Sequence, residues 1–113
     1  MNRVRRTMTL PEWKIPWHPI DTEHGEGLAR ELKREVGPGH VLYGQKVRAV
    51  AVRQDCDDVL FAIEGAAAAC AVVHLTWHAR TEADPMGPWT VVFPTIEEWR
   101  RSVMIPDHED FTS

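Results

Sequence analysis

Between Val59 and Trp77, in VLFAIEGAAAACAVVHLTW, β-branched and other apolar residues suit an extended chain whose side chains alternate between two faces. Val59, Phe61 and Ile63 fall on one side of an extended chain. Ala71, Val73, Leu75 and Trp77 fall on one side of a second. Its other side carries Cys70, Val72, His74, Thr76 and His78. The pattern predicts a β-hairpin turning near Glu64-Gly65, because glycine reaches positive φ without strain. A helix over the alanine run is the alternative. Strand is favoured because β-branched residues follow at once and no helix cap precedes the run.

Setting Phe61 opposite Ala71 places Val59 opposite Val73, Asp58 opposite His74 and Cys56 opposite Thr76. A one-residue slip would set apolar side chains against polar ones. Upstream, HVLYGQKVRAVAVRQ (40–54) starts as a loop and becomes a strand by about Lys46. QDCDD (54–58) then reverses the chain. Pairing Val52 with Val59 sets Val50 opposite Phe61 and Arg53 opposite Asp58. The result is a predicted polar row, Arg53–Asp58–His74, across the second face. Cys56, Thr76 and His78 lie near one end of it.

The period changes to helical over residues 22–36, where Leu28, Leu32 and Val36 form a stripe with Ala29 beside it. Glu26 precedes Arg30 by four, the favourable order for an ion pair. Glu31, Lys33, Arg34 and Glu35 are expected to face outward, and Gly37-Pro38-Gly39 stops the helix. Residues 79–89 read as a loop and Thr90–Phe93 as a fourth strand. Thr95 and Glu98 form a capping box ahead of a stripe of Ile96, Trp99, Val103 and Met104. Pro106 is expected to end that helix, leaving 106–113 as an acidic tail. Residues 1–20 hold Pro11, Pro16 and Pro19 and read as an extended arm, with Trp13 and Trp17 laid on the body and Arg3, Arg5 and Arg6 at a frayed end. The predicted fold is α+β, one domain over 1–113. Its four-stranded antiparallel meander carries both helices on one face and leaves the other open to solvent or a partner.

Composition narrows the function. The chain has 113 residues, a net charge of −4 and two cysteines. That acidic bias disfavours a nucleic-acid binder. Two cysteines make no disulfide framework and suit a reducing cytoplasm. The basic N-terminus is followed by no apolar run, so no signal peptide is expected, and nothing approaches the ~20 apolar residues of a membrane span. His74 and His78 on one strand would lie about 13 Å apart, too far for one ion, so no metal is expected. No phosphate loop, G-x-S-x-G or C-x-x-C is present, and no cofactor is expected. Cys56, His74 and Asp58 could form a nucleophile, base and orienting acid. The plainer reading is a cross-strand network worth a few tenths to about 1 kcal/mol per pair. His18 and His40 read as surface or loop-anchoring residues. Of five tryptophans, most should be core, and one or two exposed ones would serve as contact anchors.

His40, Leu42, Tyr43 and Gly44 (H-x-L-Y-G), D-D-V-L-F at 57–61, V-V-H-L-T-W at 72–77 and Glu98-Trp99 form a distinctive set. In these motifs the chain resembles a group of short, stand-alone, uncharacterised bacterial proteins, over roughly residues 28–105. The resemblance implies a bacterial, cytoplasmic origin and carries no activity. The expected function is therefore a protein-binding module, for instance an immunity-type inhibitor of a toxin. Its contacts would come from Arg53, Asp58, His74, Thr76 and His78 or from Trp13 and Trp17. A small hydrolase using His74, Asp58 and Cys56 is the alternative, for which a homodimer could build the pocket.

Overall fold

Two continuous apolar runs, VLFAI in one strand and CAVV in the next, put oily side chains on both faces of the sheet centre. Such runs mark strands covered on both sides. The computed structural model describes residues 10–65, 69–77, 81 and 87–113. Among them five strands form one antiparallel sheet in sequence order: β1 (Trp17–Pro19), β2 (Val47–Arg53), β3 (Asp58–Ile63), β4 (Cys70–His74) and β5 (Thr90–Phe93). The meander is as expected, with one strand more. The addition is β1, inside the proline-rich arm. An edge strand tolerates prolines because one row of its backbone groups needs no ladder partner.

The β3–β4 register is the predicted one, with Phe61 against Ala71, Val59 against Val73 and Asp58 against His74. Gly65 turns at φ 85°, as expected. Val52 also meets Val59, but Val50 does not meet Phe61. A β-bulge between Ala49 and Ala51 sets Ala49 against Phe61 and Ala51 against Leu60. The bulge leaves Val50 as the extra residue and turns its side chain to the opposite face.

The helices do not share a face. α1 (Thr22–Glu35) starts on Asp21, whose carboxylate accepts the His24 N–H at 2.7 Å. Its Leu28 and Leu32, with Val36 beyond its end, bury against Ala49, Val59, Phe61, Ala71 and Val73. The opposite face, expected to be open, is covered. There Leu60, Ala62, Cys70 and Val72 pack with Val50 and Ala51 against Trp17, Ile96, Trp99 and Met104. The molecule is thus three layers, helix on sheet on helix.

The C-terminal layer begins at α2 (Ile96–Trp99), capped by the Thr95 hydroxyl, which accepts the Glu98 N–H at 3.0 Å. Pro106 does not end it. Having no N–H, Pro106 cannot bond the carbonyl one turn back. The preceding turn widens into a π-helix over Arg100–Met104, and the chain continues as α3 (Ile105–Thr112). The expected acidic tail 106–113 is therefore mostly helix, and it is bonded to the arm. Asp107 accepts the Trp17 indole N–H at 2.8 Å, and His108 Nδ1 bonds the Ile15 carbonyl at 2.8 Å. Trp99 stands edge-on to Trp17, with centroids 5.1 Å apart, and to Trp13 at 6.0 Å.

Candidate functional site

One end of the sheet gathers the polar residues singled out above. Trp17 pairs with Arg53, Val52 with Val59, and Asp58 with His74. Beyond the Val73–Thr90 pair, the His74 N–H donates to the Trp89 carbonyl at 3.0 Å. A row Trp17–Arg53–Asp58–His74 thus crosses four strands on the face that carries α2 and α3, and Trp89, just ahead of β5, continues it. Within it, His74 Nδ1 bonds Asp58 Oδ1 at 2.7 Å. Arg53 turns away from Asp58. Its Nε donates to Asp55 Oδ1 at 2.6 Å and its Nη1 meets Asp107 Oδ2 at 3.2 Å. The hydrogen bond to Asp55 is the main reason its guanidinium holds its proton above the ordinary range. Arg53 therefore fastens the 54–58 turn to α3, a structural role the cross-strand register did not reveal.

Cys56 is exposed in that turn. Desolvation pushes its thiol above the ordinary value, and the charges of Asp58 and Asp55 add to this, outweighing Arg53 and the Asp58 N–H. A nucleophilic thiol needs the opposite shift. Cys70 is buried and pushed up to about 12 by desolvation. Two of the expected contact residues pack inward. Trp17 is buried and Trp13 is packed against the core, because their indoles complete the layer around Trp99. The exposed tryptophans are Trp77 and Trp89. Thr76 is half-buried where β4 ends. His78 lies outside the described residues, as do Arg3, Arg5 and Arg6.

The charged residues that the sequence reading missed are Glu31 and Glu35, expected in solvent and in fact buried. The Glu35 carboxylate takes the Thr76 N–H at 2.9 Å on Oε1 and the Trp77 N–H at 2.7 Å on Oε2. Burial first, and then a hydrogen bond with Glu31, raise its pKa above the ordinary 4.5, against the two amides. Glu31 also meets Arg34 Nη1 at 3.2 Å. The amides that Glu35 holds belong to a strained turn, since Trp77 lies at φ 63°, where side chains other than glycine are uncommon. The spacing offered a signal, because Glu31 and Glu35 follow Leu28 by three and seven and so share its stripe.

His40 is buried and anchors its loop. Nε2 lies 2.8 Å from the Pro88 carbonyl and 3.0 Å from the Thr90 hydroxyl, while Nδ1 accepts the Leu42 N–H at 3.0 Å. Cavities open beside α1 and under the arm, and neither Cys56, Asp58 nor His74 lines these. No group of three or more His, Cys, Asp or Glu among the described residues could hold a metal ion. No helix among them is long and apolar enough to cross a membrane. Comparison with known proteins finds no matching family model, no similar curated protein and no similar solved structure.

Proposed function

We propose that the chain is a small protein-binding module and that its contact surface is the sheet end where β4 leaves and β5 enters. The supporting observation is the pair of tryptophans there, Trp77 at 50% and Trp89 at 61% exposure. Tryptophan is the residue most enriched among interface anchors. An indole whose backbone is already fixed loses less freedom on binding. Glu35 fixes Trp77 through its amide, and pairing to His74 fixes Trp89. At the same sheet end, Asp58 and His74 offer a hydrogen-bonding pair, and Asp55 and Asp57 give the neighbouring turn an acidic character. An immunity-type inhibitor in a bacterial cytoplasm is the concrete version. An acidic surface suits a basic, nucleic-acid-cutting toxin, because complementary charge speeds encounter. The hydrolase alternative draws on the Asp58–His74 bond, but the raised Cys56 thiol gives it no activated nucleophile.

The test is affinity capture from a bacterial lysate, followed by calorimetric titration of the captured protein after purification. Wild type should bind one protein with 1:1 stoichiometry. The Trp77→Ala/Trp89→Ala variant should bind it at least about tenfold more weakly, as expected when central anchors are lost. Binding indifferent to both tryptophans would move the contact elsewhere. Absence of any partner would remove the reading.

A further inference from the structure

The second half of α1 and the segment 42–47 line a cleft of about 390 Å³ that is open to solvent on one side. That volume lies in the range of small-molecule pockets, ~300–1,000 Å³. Leu32, Val36, Leu42 and Val47 supply an apolar lining, and Lys33 and Lys46 stand at its rim. No carboxylate lines it, although the whole chain carries −4. Among the described residues the ion pairs engage arginines and His74, and neither lysine. Lys33 also suits the negative end of the α1 dipole. Lys46 lies off the helix and has no such role.

The wall facing α1 is fixed in advance. His40 ties its loop to Pro88 and Thr90 and holds the Leu42 N–H. Gly44 then turns the chain at φ 76° into Gln45 and Lys46. The H-x-L-Y-G segment is thus spent on shaping this wall. We propose that the cavity binds a small amphiphilic carboxylate, its alkyl or aryl body on Leu32, Val36 and Leu42 and its anionic end between Lys33 and Lys46. This site is independent of the protein-contact reading. Glu64 donates its N–H to the Lys46 carbonyl at 2.8 Å and lines the adjoining cavity, which shares Val47.

The experiment is an NMR titration of the full chain with octanoate, with octanol and octylammonium as neutral and cationic controls. Octanoate should give saturable shifts at Leu32, Val36 and Leu42, stronger at low salt. Lys33→Gln/Lys46→Gln should weaken it by about tenfold, the loss of two rim charges acting through partly screened solvent. Both lysines are exposed, so the variant should fold as wild type does. The proposal is overturned if octanol binds as tightly as octanoate, if the lysine variant binds like wild type, or if those resonances do not move.

Discussion

Two carboxylates hold the end of β4 from opposite faces of the sheet. Glu35 reaches up from α1 and accepts the Thr76 and Trp77 amides. Asp58 reaches across from β3 to the His74 ring. Their settings differ. Glu35 is fully buried, whereas the side chains of Asp58 and His74 are 19% and 51% exposed. Water can replace Asp58 as a partner for His74. Glu35 lies buried under α1, where its loss leaves two part-buried amides without their acceptor at a larger desolvation cost. The buried carboxylate therefore sets the backbone and the exposed one decorates it. The conspicuous Asp–His pair is the dispensable member.

The largest effect should follow Glu35→Ala. Two part-buried amides lose their acceptor at ~1–3 kcal/mol each, with some relief from parting Glu35 from Glu31, so we expect about 2–4 kcal/mol of lost stability in urea unfolding. A loss under about 1 kcal/mol would mean that water reaches those amides and would erase the contrast with Asp58.

Acidity sharpens the same contrast. The folded pKa of Glu35 lies above the ordinary 4.5, from burial first and then from Glu31. Between those two values the folded chain keeps a proton that the unfolded chain has released. The stability this group contributes is thus full below about pH 4.5 and lost as pH rises toward the folded value. Relative to Glu35→Gln, wild type should gain stability on acidification from neutral pH. Urea midpoints of the two proteins that run parallel across this window would show that Glu35 is not raised.

The row at the sheet end was legible in the sequence for a local reason. Alternation fixes register, and register alone carries Asp58 to His74. The covered second face was less legible. Leu60, Ala62, Cys70 and Val72 lie on the face expected to be open, and the unbroken apolar runs around them were the available sign that it is covered. Val50 misled because a bulge leaves no mark in an alternating string of valines and alanines. Glu31 and Glu35 misled because charge outweighed spacing, although their positions lie on the Leu28 stripe. Pro106 misled because a π turn lets a helix pass a proline. Each of these outcomes was decided by packing between distant segments.

Asp107 occupies the middle ground between the two carboxylates. It is partly exposed, yet it accepts the indole of buried Trp17 and meets Arg53. Asp107→Ala leaves that indole N–H without its acceptor and frees the 54–58 turn from α3. We expect about 1–2 kcal/mol of lost stability, the lower part of the ~1–3 kcal/mol range for one orphaned donor, because this one is part-buried. Tryptophan fluorescence should shift as well, since Trp17 packs against Trp99. An unchanged midpoint and spectrum would show that α3 is held by its apolar contacts alone.

The smallest effect should come from Asp58 and His74 themselves. A double-mutant cycle of Asp58→Ala and His74→Ala isolates their coupling from what each does alone. We expect about 0.2–1 kcal/mol, the range for exposed ion pairs and cross-strand pairs. The pair is partly solvated, and Arg53 spends its charge on Asp55 and Asp107 rather than on Asp58. A coupling above about 2 kcal/mol would sink the division drawn between the two faces, because it would require the Asp58–His74 bond to be shielded from water as Glu35 is.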